Sequence, residues 1–445
     1  MKPKKLLKID FSSKELLFLV IILAVVLRMF YGILTEPYQR QHDWTGKSGH
    51  YEYVKIIANE GHLPSTNEWQ FCHPPLNHLI LAGGYSLLSD IITDKDLNPD
   101  DAKISDILQV VPFVYSVLLL YIALLVLKEL SVTGVYRLIA FSVFAFHPTN
   151  IILSASLNND MLTYLLYGVS FLFTIRWYKN PTFFNIIGIA LGISLSMLSK
   201  FSGVLIAPIT AVCFLVILIK AIKERKGVGN LILQFAVFGS VCIPLGLSYT
   251  LRNYLLFGQE LGYVAYMGDD NWQYIDLPFI QRLFGYYAPD FESPFSDAYR
   301  HNLLSTAFKT SLFGEWGAAF GSFSTRFGEF FPTVLGRIVT FFGAIFTAAA
   351  SFLSARFAFG KTDKMLKFIV LGNFVLTFGF FLYFNANYPF GCTADFRYLT
   401  PLLFSLVCIV PLGLKEIKSK TLKAWLSAVS VLFVFSSSIF YLLCG

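Results

Sequence analysis

A few polar residues stand out because the rest of the chain offers little that could do chemistry. Asp43 opens a stretch, residues 41–78, that holds five of the seven histidines (His42, His50, His62, His73, His78) and the run His73-Pro74-Pro75. Asp160 ends the run Asn158-Asn159-Asp160. Each carboxylate lies just beyond a long apolar run. A carboxylate held against a bilayer is poorly solvated and its pKa rises, towards the range where a general base works best. Asp is also a common marker of the end of a span, and each residue taken singly fits that reading too. Glu315, in Phe313-Gly314-Glu315-Trp316, is a further carboxylate candidate.

Four basic groups are placed where they could hold an anion. Lys200 occupies the short turn Ser199-Lys200-Phe201-Ser202, Arg252 is followed by Asn253, Arg397 lies in Asp395-Phe396-Arg397-Tyr398, and His73 precedes two prolines. Arg suits phosphate because its planar fork bonds two oxygens, whereas Lys acts as a point charge. The competing reading is snorkelling to the membrane interface. His50 comes seven residues after Asp43. On one straight helix the two would sit ~10 Å apart, too far for a shared ion. Asp43 must precede the helix if both bind one metal, and Gly46 and Gly49 allow that. Otherwise His50, Tyr51 and Tyr53 contact substrate or serve as ordinary surface residues.

The elements that must position these groups are helices in a membrane. The chain has 445 residues, 55% of them hydrophobic and 14% charged, against roughly 25% charged in soluble domains. Several apolar runs approach the ~20 residues needed to cross a bilayer as helix. Their unbroken character excludes the alternation of a membrane barrel. The predicted fold class is an all-α polytopic membrane protein. The first run, residues 16–34, is too long for a signal-peptide core and is read as a retained span.

Charge selects the topology. If the weak run at 76–92 does not cross, residues 1–14, 128–137, 176–182, 220–229, 355–367 and 415–423 share one face and carry 21 of the 35 Lys and Arg residues. That face is cytoplasmic by the positive-inside rule. The pattern predicts about eleven spans, the N-terminus inside, the C-terminus outside, and two large external regions, 36–106 and 252–330, bearing amphipathic or juxtamembrane helices. A short external segment, 385–397, joins them. The organisation reads as a module at 1–251, an external region at 252–330 and C-terminal spans at 331–445. The net charge of +7 is this positive-inside signal, so no nucleic-acid partner is expected. Cys72 and Cys392 are both external, which leaves a disulfide between the loops open in an oxidising exterior.

The ordered set of Asp43 with His50, Gly61-x-x-Pro64, His73-Pro74-Pro75-Leu76, Pro148 followed by Asn158-Asn159-Asp160, Ser199-Lys200, Arg252-Asn253 and Phe257-Gly258 resembles the GT-C superfamily of integral-membrane glycosyltransferases. It is most similar to bacterial relatives of protein O-mannosyltransferases and of the aminoarabinose transferase that modifies lipid A. The likeness covers about the first 260 residues, and Arg397-Tyr398 extends it loosely. It implies a polyprenyl-phosphate-linked sugar donor, a glycan, lipid or protein acceptor, and transfer to a hydroxyl with inversion on the external face of the cell membrane. In that scheme Asp43 is the base, Asp160 a second catalytic carboxylate, and His50, His73, Lys200, Arg252 and Arg397 bind substrate. Many relatives carry Asp-Glu at the first acid; here Trp44 follows Asp43. The chain therefore either lacks a divalent cation (Mg or Mn) or holds one with Asp43, Asp160 and His50. No organic cofactor is expected. The rival reading is a transporter or flippase of a lipid-linked glycan, which would place ionisable residues at mid-membrane and show paired broken helices.

Overall fold

The computed structural model of the chain describes residues 14–37, 44, 46, 48–94, 98–286, 294–295, 302–315 and 330–443. Asp43, the first of the sequence candidates, lies outside the described residues. The described chain is helical throughout, and its β-pairing is confined to two isolated bridges, Thr93 with Pro99 and Tyr274 with Phe390.

The first helix, α1 (Lys14–Leu34), is followed by three short helices, α2 (His50–Glu60), α3 (Leu76–Leu88) and α4 (Asp101–Leu108), the last running into α5 (Val110–Glu129). Next come α6 (Gly134–Ala145), α7 (Pro148–Ile152), α8 (Asp160–Lys179), α9 (Phe183–Ser199), α10 (Ala207–Glu224) and α11 (Val228–Phe257). The region 252–330 supplies α12 (Phe279–Phe284) and α13 (Leu303–Phe313). The chain closes with α14 (Phe330–Ala358), α15 (Lys364–Asn387), α16 (Leu402–Glu416) and α17 (Lys420–Leu443).

Among the described residues, seven helices are long and apolar enough to cross a membrane, and two bent pairs raise the number to nine. The bent pairs are α6 with Pro148–Ala155, at 58°, and Gly391–Leu399 with α16, at 46°. Sequence reasoning expects eleven. The other two expected spans are α8 and α9. Helix α9 has only 17 residues. Helix α8 carries Asp160, Thr163, Ser170, Thr174, Arg176 and Lys179, too many polar groups for a lipid-facing helix. It is nonetheless buried along most of its length, because its neighbours answer those groups. Tyr167 Oη donates to Asn373 Oδ1 at 2.5 Å, and Asn373 Nδ2 donates to Pro401 O and Ser405 Oγ, joining α8, α15 and α16. Trp177 Nε1 donates to Gln234 Oε1 on α11. Close approach of α9 needs Gly192, where an added Cβ would meet the Ser170 backbone nitrogen at 2.8 Å.

Helix α3, the weak apolar run, has 13 residues. At 1.5 Å per residue it spans ~20 Å, short of the ~30 Å hydrocarbon core. It packs with α2 and α4, and Trp44, Tyr51, Val54, Leu81, Tyr85 and Ile104 form a separate small core there. The described part of the region 36–106 is thus a folded cap.

The bend between α6 and α7 has an identifiable cause. Pro148 has no N–H for the carbonyl of Phe144, one turn back. Asn150 Nδ2 takes that carbonyl at 2.7 Å instead. The next carbonyl, Ala145, accepts from Nη2 of Arg28 at 2.7 Å. Arg28 is buried, and its other donors reach Ser116 Oγ and Ala24 O. One guanidinium therefore ties α1, α5 and α6.

Candidate functional site

The second bend and the α8–α9 junction converge on one cavity. Helix α9 ends at Ser199 and the chain passes through Lys200 in extended conformation (φ −155°, ψ 132°) into a 3-10 turn, Phe201–Ile206. The junction is clamped: Asn159 Nδ2 donates to Ser199 O at 2.9 Å, and Thr163 Oγ1 pairs with Ser199 Oγ at 2.9 Å. Asn77 Nδ2 on α3 holds the carbonyls of Leu157 and Asn158, and Asn158 Oδ1 accepts from the backbone of Asp160. Each residue of Asn158-Asn159-Asp160 is thus pinned, and the third is brought beside Lys200.

Lys200 Nζ lies 2.5 Å from Asp160 Oδ1 and 4.5 Å from the centre of the Tyr398 ring. Arg397 Nε is 3.9 Å from Asp160 Oδ2, and its Nη2 is 3.4 Å from Glu315. Asp395 accepts from the Arg397 backbone N–H at 2.6 Å, which fixes the turn that carries the guanidinium. Charges therefore alternate in a row: Lys200, Asp160, Arg397, Glu315. A carboxylate flanked by two cations is a weak base. Asp160 is thus paired with both cations in this geometry.

The opposite wall comes from the region 36–106. His50, at the start of α2, and His73 line the same cavity. The rings of His73, His50, His78 and Tyr53 stack nearly parallel, with centroids 6.0, 5.0 and 4.0 Å apart in turn. His50 Nδ1 and His78 Nε2 are 2.7 Å apart. Burial, then His78, His73, Lys200 and Arg397, pushes the His50 pKa well below its ordinary value. Burial and Lys200 lower His73 to about 3, with Asp160 opposing, and burial lowers His78 to about 3. All three rings are neutral at physiological pH.

The cavity has a volume of about 350 Å³. Beyond the charged row its lining is aromatic. Phe380, Phe384 and Tyr388 run down one face of α15 and out of its C-terminal end at i, i+4 and i+8, stacked at 6.1 and 5.1 Å. Phe384 also meets Tyr398, the ring beneath Lys200. The region 252–330 closes the remaining side, tied to the region 36–106 by Gln259 with Thr66 and Asn67, and to segment 385–397 by Gln273 with Gly391 and Cys392.

The structure therefore brings His50, His73, Asp160, Lys200 and Arg397 to one cavity. Arg252 does not join them. Its Nη1 bonds Asn253 Oδ1 at 2.8 Å, its guanidinium rests against Tyr249 and Phe257, and Asn253 and Tyr249 line the wall instead. Cys72 and Cys392 both line the cavity, and the cross-loop disulfide that the sequence leaves open is not formed. Five participants were not singled out from the sequence. Tyr398 and His78 carry no spacing signal, whereas the i, i+4, i+8 repeat of Phe380, Phe384 and Tyr388 was readable.

Of the ligand set expected from the sequence, Asp43 lies outside the described residues. Asp160 is taken by Lys200 and Arg397, His50 gives Nδ1 to His78, and among the described residues no three His, Cys, Asp or Glu side chains converge as ligands.

No family model matches the chain, and no curated protein matches it. Among solved structures it is similar to the apo oligosaccharyltransferase of Archaeoglobus fulgidus, with TM-score 0.47 and 14% identity over 96% of this chain and 55% of that one. This chain thus spans little more than half the length of that protein. It is also similar to ArnT from Cupriavidus metallidurans bound to undecaprenyl phosphate, with TM-score 0.38 and 12% identity over 91% of this chain and 78% of that one, and to the apo state of ArnT at TM-score 0.36 and 12% identity. What those proteins transfer and bind is a property of those proteins; the likeness is one of many-helix membrane chains.

Proposed function

We propose that this chain is a GT-C glycosyltransferase that moves a sugar from a polyprenyl-phosphate-linked donor to an acceptor hydroxyl. The observation that carries the reading is the two-part cavity. Lys200 and Arg397 stand at one end, and the ladder of Phe380, Phe384 and Tyr388 leads away from it. An amphiphile with an anionic head and a long apolar tail matches both parts. An oligosaccharyltransferase and an ArnT carrying undecaprenyl phosphate are among the structures this chain resembles.

The mechanism follows from the leaving group. A phosphate departs without protonation, so one base suffices. Asp43 takes the proton from the acceptor hydroxyl as it attacks the anomeric carbon, and the configuration inverts. Lys200 and Arg397 hold the phosphate and stabilise the charge that develops as the bond breaks, with His73 contributing a neutral contact. Asp160 keeps the two cations in place between turnovers. Arg252 supports Asn253 from behind. The charge distribution puts the N-terminus in the cytoplasm and the site on the external face.

The test is transfer from a labelled undecaprenyl-phosphate sugar in nanodiscs, comparing wild type with Asp43→Ala. The expected result is near-complete loss of transfer with an unchanged melting temperature. Full activity in the variant removes Asp43 from the mechanism. A wild-type protein that binds the lipid but never releases the sugar from it would instead be a carrier of lipid-linked glycans.

A further inference from the structure

We propose that Arg282 is a positioning residue for Arg397: it fixes the C-terminal end of α15 through Asn385, and Asn385 fixes the turn that carries the Arg397 guanidinium to the cavity. The inference rests on the reading of Lys200 and Arg397 as the phosphate site and adds to it a residue outside the cavity.

The argument starts from a buried cation without a counter-ion. Arg282, on α12, is 1% exposed. Among the described residues no carboxylate pairs with it, and its Nε bonds nothing. Burial lowers its pKa to about 10, with Tyr274 opposing, so it stays charged at neutral pH. An unpaired buried charge is costly, and a neutral side chain would serve packing alone better. What the guanidinium reaches is Asn385. Its Nη1 donates to Asn385 O at 2.7 Å, and its Nη2 lies 3.5 Å from Asn385 Oδ1. That carbonyl belongs to the last turn of α15, where carbonyls lack helical partners and a cation is favoured. Helix α15 has no basic residue of its own in that turn, so α12 supplies one.

Asn385 passes the constraint on. Its Nδ2 donates to Phe381 O, one turn back, and to Thr393 O, both at 2.9 Å. Thr393 Oγ1 lies 2.9 Å from Asn385 Oδ1 and is also within reach of Tyr388 O and Phe390 O. The chain from 385 to 393 is thereby folded back on the helix end, and Thr393 lines the cavity. Arg397 follows four residues later. Its turn is held on the other side by α13: the Phe396 N–H donates to Thr310 Oγ1 at 2.8 Å, and Leu303 and Ala307 pack with Ala394 and Leu399. Phe279 and Leu283, either side of Arg282 on α12, pack against the same small core. Arg282 and Asn385 do not line the cavity, so their effect on a bound phosphate must pass through the turn.

The experiment uses the full chain in nanodiscs and measures binding of undecaprenyl phosphate and of undecaprenol, which lacks the phosphate. Arg282→Met should weaken binding of the phosphate about fivefold, the scale of one hydrogen bond, and leave undecaprenol unchanged. Equal weakening of both lipids means that Arg282 only supports the cavity as a whole, and overturns the proposal, as does wild-type affinity for both. In an Arg397→Met background the same substitution should weaken phosphate binding no further, because the two residues act as a unit; a further loss there also overturns it. Amide hydrogen exchange over residues 391–399 should be faster in Arg282→Met, with exchange at the α8–α9 junction unchanged. Arg282→Lys keeps the charge but cannot bridge two acceptors. It should move every readout in the same direction, and it decides alone, by the same outcomes, if Arg282→Met does not fold. Failure of wild type to bind undecaprenyl phosphate would defeat the glycosyltransferase reading, while unchanged exchange over 391–399 would defeat the positioning role of Arg282 by itself.

Discussion

Nζ of Lys200 and Oδ1 of Asp160 are 2.5 Å apart, with both side chains buried, at a junction where two helices are stitched together by Asn159, Thr163 and Ser199. The pair anchors the site, and removing one partner of such a pair typically costs ~3–5 kcal/mol because a buried charge is left alone. Lys200→Met and Asp160→Asn should each lower the melting temperature in nanodiscs. The double variant should recover much of that loss, since contacting residues are not additive, yet remain inactive in transfer. Equal losses that simply add would show that the two charges do not depend on each other.

Arg397 faces Asp160 and Glu315 with different nitrogens, 3.9 and 3.4 Å away. A point charge cannot serve both and hold a phosphate. Arg397→Lys should therefore weaken undecaprenyl phosphate binding by roughly tenfold or more, the scale of a charge-assisted hydrogen bond, with little change in melting temperature. Wild-type affinity in this variant would show that a charge alone suffices there.

Phe384 stacks on Phe380 and meets the rings of Tyr388 and Tyr398 at the join between the apolar ladder and the charged row. Phe384→Ala should reduce affinity for polyprenyl phosphates, short or long, by roughly tenfold, as expected for loss of a buried aromatic contact, and spare inorganic phosphate. Unchanged affinity for the lipids would place the tail elsewhere.

His73 and His78 protonate in the folded chain only near pH 3, against an ordinary value of 6.5, and His50 is likewise depressed. The unfolded chain therefore binds more protons than the folded chain between about pH 6.5 and 3. Stability contributed by these rings is intact above that window and is lost as pH falls through it. The melting temperature should drop between about pH 7 and about pH 4, and His73→Gln, which removes one such ring, should flatten the drop. A flat profile in the wild type would mean that these rings are hydrated.

Much of the site was readable from residue order. Lys200 in a four-residue turn and Asp160 beside a span end had to meet if consecutive helices pack side by side, and they do. Arg397, far along the chain, was readable as a cation tight against a span. What failed was direction. Arg252 has the same signature as Arg397, but one position of helical rotation turns Asn253 to the cavity and Arg252 onto Tyr249 and Phe257. Helix α8 was readable as an apolar run, but the partners of its polar groups, Asn373, Gln234 and Lys200, lie far along the chain, which no local window can see.

Arg28 gives the bundle an order of construction. Helix α1 carries a cation whose acceptor on Ala145 is synthesised 117 residues later. Until then a charged side chain waits in a segment that must enter lipid, at a cost of ~2.5–3.5 kcal/mol near the helix centre. Helices α1, α5 and α6 are therefore best handed to the membrane as a group, and the bent α6–α7 pair stays unfinished until α1 returns to close it. A single residue far from the chemistry sets when during biogenesis this protein can become whole.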